Sequence, residues 1–461
     1  MDISYKQTKN LVSLHVQDNM SPVDNEEING EEKDEQLIDD KDVQEFVCEL
    51  NNSILLCSVE GILSCMMKFN NLLENKLLSD DGYEILVKFG YFDLIISCFN
   101  LKVSLYAATQ ILENLALVTD PLPFGAEKFI ENGGFELLLF LLENHQQKLI
   151  ILLVLKLFLN FLKFGCKILI LKLKEDQNNE NSFLSIFIKI IKIGSIQDII
   201  KNNEDNTRLI LLCSNLLSLL ISISEFYMES LIPYVINYFN WSFEDNKLSI
   251  ILRRDSLLAF QQIGLKDTTI LFKKSIIQNI IKSMKFYDQG SLKDAFQIIE
   301  SVFLNAPQTY LVQIISYLPY NLFKQVLDSG YPKLKEYALN AMIQIFQTDE
   351  KTFQYALEAD IPQSLLTLLN ESSFQIKSLV LELIYVSLKT SKFDFNTPFY
   401  CMEFFLVLEN LLSVESCKNL AFELALLFQR IAKLKGDNEI INFFNIAIEE
   451  SGIISEDMKM I

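Results

Sequence analysis

The sequence predicts an all-α protein whose helical units stack side by side into a right-handed α-α superhelix, a solenoid of about nine three-helix repeats. Three observations predict this architecture. A short helical phrase recurs at near-constant spacing along the chain. Gly is scarce, at 14 of 461 residues, and half of all residues are hydrophobic. Few helix-weakening glycines and ample apolar surface in every segment suit an array of stacked helices.

The phrase consists of two small or apolar residues, a gap, two apolar residues, a gap of two and one further apolar residue. Intervals of 39 to 59 residues separate its occurrences, and a period of about 40–47 is typical of helical-repeat solenoids. The nine occurrences begin at Ile62, Ala108, Val154, Cys213, Ser256, Ala295, Ala338, Val380 and Ala421.

The two ends of the chain differ from this repeat region. Residues 1–44 hold three times as many acidic as basic residues and few apolar ones, which predicts a disordered acidic tail. The repeat domain is predicted over residues 45–450. A polar insertion around 174–207 explains the longest interval, and residues 451–461 are predicted to be a frayed C-terminus.

Charge and cysteine usage limit the possible partners and compartment. The formal net charge is −20 and only four of the forty basic residues are Arg, which argues against a nucleic-acid partner. None of the eight Cys forms a CxxC pair, so we expect free thiols in a reducing, intracellular location, cytoplasmic or nuclear.

Residues 149–173 are the most apolar stretch, and they raise the question of a membrane span. Lys156, Asn160 and Lys163 interrupt the stretch, and a central Lys in a spanning helix costs about 2.5–3.5 kcal/mol. The polar residues fall on one side of an otherwise apolar helix. The pattern therefore favours a buried solenoid helix, and no stable membrane insertion is expected.

Catalysis is not expected either, and the sequence predicts neither a cofactor nor a metal site. The only two histidines, His15 and His145, are isolated, so zinc sites and His-activated nucleophiles lack their parts. Neither a GxGxxG nor a GxxxxGK[ST] phosphate-binding motif is present.

Within a period the layout resembles the armadillo repeat family, in which a short helix, a Gly turn, a second helix and a long third helix follow one another. Residues 83–116 carry the resemblance best, with Gly90 at the turn, and a second copy follows around Gly133. Asp360 stands where a later repeat would have its Gly, and Asp tolerates the left-handed conformation better than most residues. The resemblance covers roughly residues 45–450 and leaves armadillo and HEAT units undecided in the middle.

The resemblance implies where a partner would bind. Armadillo proteins of the importin-α and β-catenin kinds hold an extended peptide on a ladder of Asn residues along their third helices. Asn114 and Asn160 match that ladder, and Gln262 and Gln344 hold the same place in later repeats. With Gln110, Lys156 and Lys163, these residues form the predicted polar floor of a concave groove, in which the lysines would receive an acidic or phosphorylated segment.

The leading hypothesis is thus a non-catalytic scaffold or adaptor that binds a segment of a partner protein. Two alternatives stay open at this point. One is an importin-α-like transport adaptor with a degenerate groove, although Gln110 and Lys156 replace the Trp residues of that group and the tail is acidic rather than basic. The other is a peripheral, membrane-associated helical protein.

Overall fold

The structure is a computed structural model that describes residues 37–101, 103–119, 124–145, 147–176, 182–193, 204–243, 247–390 and 397–451. Most of the predicted acidic tail therefore lies outside the described residues. The same holds for 177–181 and 194–203 of the predicted insertion, and for all but the first residue of the predicted frayed C-terminus.

The described residues form 25 α-helices joined by short turns. In chain order they are α1 Asp40–Leu55, α2 Val59–Asn75, α3 Asp80–Lys88, α4 Tyr91–Asn100, α5 Leu105–Thr119, α6 Phe124–Phe129, α7 Phe135–Asn144, α8 Lys148–Lys163, α9 Lys167–Glu175, α10 Phe183–Ile193, α11 Glu204–Ile223, α12 Glu225–Trp241, α13 Lys247–Lys266, α14 Thr268–Lys273, α15 Ile276–Ser283, α16 Gln289–Asn305, α17 Gln308–Ile315, α18 Tyr320–Leu327, α19 Pro332–Phe346, α20 Lys351–Glu358, α21 Ile361–Glu371, α22 Phe374–Thr390, α23 Met402–Leu412, α24 Lys418–Lys435 and α25 Asn438–Glu450.

Each of the nine phrases lies in a long helix of 15 to 20 residues, and we call these helices the third helices. They are α2, α5, α8, α11, α13, α16, α19, α22 and α24. The chain divides into two compact units, Met1–Val235 and Ile236–Ile461. Inside each unit consecutive third helices pack on one another. The predicted all-α helical repeat of the armadillo/HEAT type is confirmed.

The predicted three-helix layout is clearest in α3, α4 and α5. Gly90 separates α3 from α4 with φ of 72°, a left-handed conformation that glycine adopts without steric cost. Asp360 occupies the same left-handed region between α20 and α21, with φ of 58°, as predicted from its place in the repeat. At both positions the left-handed residue ends the first helix and lets the second helix start in a new direction.

The layout changes around α12. Here a single helix of 17 residues, with Pro233 in its interior, precedes the third helix α13. This period therefore contains two helices instead of three. The predicted insertion also contains regular structure, since residues 183–193 form α10 and the third helix α11 begins at Glu204.

Burial explains the apolar stretch over residues 149–173. Helix α8 buries eleven of its sixteen residues, and a fully buried Leu or Phe contributes about 1.5–3 kcal/mol. The stretch is broken between α8 and α9 by a bend of 115°, where Gly165 has a φ of 71°. In the described residues one helix, over Asn206–Ile223, is long and apolar enough to cross a membrane, and half of that window is buried in the fold.

Candidate partner-binding surfaces on the third helices

A buried chain of hydrogen bonds connects α2, α4 and α5 in the first unit. The Tyr91 hydroxyl donates to Asn114 Oδ1 at 2.6 Å, and Asn114 Nδ2 donates to Asn70 Oδ1 at 2.6 Å. Asn70 Nδ2 in turn donates to the backbone oxygen of Gln110 at 3.1 Å. Burial raises the pKa of Tyr91 well above its usual value, so the hydroxyl stays a donor at physiological pH.

This network corrects the expected role of Asn114. The side chain is 0% exposed and its oxygen and nitrogen both have internal partners. Asn114 therefore does not offer its amide to a peptide at the surface in this structure. Its physical role is to satisfy two other buried polar groups, which lie on the second helix of its own repeat and on the preceding third helix.

Gln110 and Lys156 lie nearer the surface. Both are half-buried, and Gln110 Nε2 donates to Glu113 Oε2 at 3.0 Å. Burial and the charge of Glu74 raise the pKa of the Glu113 carboxyl, while the hydrogen bond from Gln110 and the charge of Lys156 oppose that rise. Gln110 on α5 and Lys156 on the neighbouring third helix α8 thus both interact with the same acidic side chain, that of Glu113.

Asn160, Lys163 and Lys148 lie in three different environments on α8. Asn160 is 3% exposed, and its Nδ2 has no hydrogen-bond partner among the described residues. Lys163 is exposed at the end of the helix, and Lys148 donates to Asn206 Oδ1 at 2.7 Å. Asn160 is therefore withdrawn from solvent like Asn114, while Lys163 remains accessible.

In the second unit the predicted residues Gln262 and Gln344 are half-buried on α13 and α19. Two further amides, Gln297 on α16 and Asn340 on α19, are half-buried as well. Gln297 and Asn340 are 43 residues apart, which is the spacing of the phrases on their two helices. Asn340 and Gln344 share a face because they are four residues apart on one helix. We call Gln262, Gln297, Asn340 and Gln344 the amide row.

Sequence reasoning missed Gln297 and Asn340 although a signal for them existed. Both stand two residues after the start of their phrase, which is the place that Gln110 and Lys156 hold in the first unit. Comparing this position in all nine phrases, and not only in the two with Asn at the ladder position, would have found them.

A buried carboxylate that forms an ion pair lies on α16, the helix that carries Gln297 of the amide row. The carboxyl of Asp294 is 4% exposed, and its Oδ2 lies 3.7 Å from Arg254 Nε. Burial raises the pKa of Asp294 to about 6, against the lowering effect of the Arg254 and Lys293 charges. The folded protein therefore binds this proton more tightly than the unfolded chain. The resulting stabilisation is complete below the ordinary pKa of 3.8 and is lost as the pH rises through about 6.

Asp294→Asn is expected to stabilise the second unit at pH 8 and to have little effect at pH 5. At pH 8 the variant no longer buries a carboxylate. We expect its free energy of unfolding to be higher by about 1–3 kcal/mol, after allowance for the lost pairing with Arg254. Thermal unfolding of both proteins at the two pH values measures the difference. Glu423→Gln, at an exposed position on α24, controls for net charge. A stability gain of the Asp294→Asn variant that is equal at both pH values would contradict the prediction.

Comparison with known proteins supports the fold and does not assign a family. No protein-family model matches the chain, and no curated protein matches its sequence. Among solved structures, an engineered protein superposes with a TM-score of 0.56 at 12% identity, over 82% of this chain and 97% of its own. At this low identity the likeness concerns the fold alone.

Two designed armadillo repeat proteins are also similar to parts of the chain. One matches at 16% identity over 50% of this chain and 95% of its own, with a TM-score of 0.40. The other, solved in complex with the peptide (KR)4, matches at 15% identity over 52% of this chain and 97% of its own, with a TM-score of 0.42.

Within the described ranges, His, Cys, Asp and Glu residues form no group that could hold a metal ion.

Proposed function

We propose that this chain is a non-catalytic scaffold that binds an extended segment of a partner protein along its third helices. The observation that carries the proposal is the amide row of the second unit. Its four side chains lie on α13, α16 and α19, which are consecutive third helices that pack on one another.

Side-chain amides suit this role because each offers both donors and an acceptor. An extended peptide presents backbone N–H and C=O groups along its length, and amides can pair with them whatever the peptide's side chains are. Packed helices lie about 8–10 Å apart and an extended chain rises about 3.3 Å per residue. Each third helix would therefore contact two or three residues of the bound segment.

The first unit contributes differently to the proposed function. Asn114 and Asn160 are withdrawn into the fold, so Gln110, Lys156 and Lys163 are the predicted residues that remain near its surface. The peptide-binding role is therefore assigned to the amide row, and Asn114 is assigned to the stability of the first unit.

Selection from a display library of random linear peptides tests this function. We expect peptides that bind the wild-type protein, and we expect alanine at all four positions of the amide row to weaken their binding by on the order of tenfold or more. The matched control carries alanine at four exposed amides on first and second helices of the same unit, namely Gln313, Asn321, Gln325 and Gln363. Equal loss in both variants, with helicity unchanged, would place the binding surface elsewhere.

A further inference from the structure

Charge is distributed unevenly inside the second unit. Its five third helices carry thirteen Lys and Arg against six Asp and Glu. The rest of residues 236–461 carries eight against twenty. A chain with a net charge of −20 thus concentrates its positive charge on one class of helix, the same class that carries the amide row.

Two of the six acidic side chains on these helices are withdrawn from the surface, and a third pairs with a lysine. Asp255 and Asp294 are buried, and Glu336 pairs with Lys333 at 3.0 Å. Glu382 and Glu423 are exposed, and Glu300 on α16 is half-buried. On α16, α19 and α22 five Lys therefore stand against four acidic residues, of which Asp294 is buried and Glu336 is paired with Lys333, so these helices carry a small positive excess in a protein that is acidic as a whole.

Three lysines on these helices hold their ammonium groups over aromatic rings. Lys293 on α16 lies 5.4 Å from the Tyr337 ring on α19, which links two neighbouring third helices. On α22, Lys377 lies 5.6 Å from the Phe374 ring and Lys389 lies 4.2 Å from the Tyr385 ring. In the described residues none of the three forms a direct ion pair, and Lys293 interacts at longer range with the charge of the buried Asp294.

We propose that the face of α16, α19 and α22 beside the amide row binds an acidic segment of a partner protein. Lys293, Lys377 and Lys389 supply the charge contacts. This inference rests on the proposed function and specifies its partner class. The rings of Tyr337, Phe374 and Tyr385 give apolar contact area between the charges, which suits a protein segment that alternates acidic and apolar side chains.

A nucleic acid is the weaker candidate for this face. A long phosphate backbone extends beyond the local patch and meets the negative remainder of the chain, whose field opposes it. A short acidic protein segment needs only the local field. All three charge contacts are also Lys, whereas Arg is the residue that pairs with phosphate in a bidentate geometry.

Fluorescence anisotropy with a labelled twelve-residue peptide of alternating Glu and Leu tests the proposal on the full-length protein. We expect binding that weakens with salt, and we expect Lys293→Gln with Lys377→Gln and Lys389→Gln to weaken it about tenfold, since three charge contacts with the peptide are removed. The matched control changes Lys273, Lys282 and Lys285 to Gln. These exposed lysines of the same unit lie outside the third helices, and two of them also lie over rings.

The outcomes separate this inference from the proposed function. The inference is overturned if the wild type does not bind the Glu/Leu peptide, if the two triple variants lose affinity equally, or if a labelled twelve-nucleotide single strand of DNA binds more tightly at the same salt. Library peptides that depend on the amide row but carry no acidic bias would leave the proposed function standing and reject the acidic segment.

Discussion

Asn114→Ala is expected to lower the free energy of unfolding of the first unit by about 2–4 kcal/mol. The substitution leaves the Tyr91 hydroxyl and Asn70 Oδ1 buried without their partners, and each unpaired buried group costs about 1–3 kcal/mol. A small cavity adds to that loss. Urea unfolding followed by circular dichroism measures the change, with hydrogen exchange of α4 and α5 as the local probe.

A double-mutant cycle with Tyr91→Phe decides whether the hydrogen bond is responsible. Tyr91→Phe removes the buried donor and keeps the ring, so Asn114→Ala in that background is expected to cost less than in the wild type by about 1 kcal/mol or more. Asn71→Ala, next to Asn70 on α2, is the control, since its exposed side chain can be replaced by water. Additive effects of Tyr91→Phe and Asn114→Ala would contradict this explanation.

This result matters for any test of peptide binding. Loss of partner binding in an Asn114 variant would follow from local unfolding of the first unit as readily as from loss of a contact. The amide row avoids this problem because its four side chains are half-buried, and none of them satisfies another buried group through a hydrogen bond described for this structure.

Most of the fold could be predicted from the sequence because its period is set by burial. Each of the third helices must be apolar on the two sides that contact its neighbours. The phrase therefore marks all nine of them, from Ile62 on α2 to Ala421 on α24. Gly90 and Asp360 could be predicted as turn residues since few other residue types adopt a positive φ. The single helix α12 could not be predicted in this way. A Gly or Asp marks a break between two helices, and an uninterrupted helix has no such marker.

The binding residues were harder to predict because a register position does not reveal which side of a helix is open. Asn114 and Asn160 match the ladder of the armadillo resemblance, yet both are buried. What decides the environment of Asn114 is its pairing with Tyr91 and Asn70, which are 23 and 44 residues away in the chain. Such pairing depends on how the helices pack, and one sequence does not encode it as a visible pattern.

The second large effect is expected at Arg253, whose side chain ties together the ends of three helices in the second unit. Its Nη2 donates to Ser242 O at 2.9 Å, just after α12, and its Nη1 donates to Phe286 O at 3.3 Å, after α15. Nη1 also lies 3.6 Å from a carboxylate oxygen of Asp288, the residue that caps α16. The guanidinium carbon lies 5.3 and 5.2 Å from the Phe243 and Tyr287 rings.

Arg253→Ala is expected to destabilise the second unit by about 3–5 kcal/mol. The substitution removes a 7% exposed cation and leaves two backbone oxygens and the Asp288 carboxylate without it. Arg253→Lys should recover only part of the loss, because one ammonium cannot reach both carbonyl oxygens and stack beside two rings. Arg430→Ala on α24 is the control, with an exposed side chain and an expected loss of at most about 1 kcal/mol.

The fluorescence of Trp241 reports unfolding at the end of α12, so the effect of the Arg253 substitutions can be measured at this junction as well as for the whole protein. Trp241 is the only Trp of the chain, is 7% exposed and precedes Ser242 at the end of α12. In the Arg253 variants its fluorescence should change at a lower urea concentration than in the wild type, while hydrogen exchange in α2 and α5 of the first unit stays unchanged. Suppose that the urea transition followed by circular dichroism shifts and the one followed by Trp241 fluorescence does not. Arg253 would then not stabilise this junction, because contacts between these helix ends must also stabilise the structure around the adjacent Trp241.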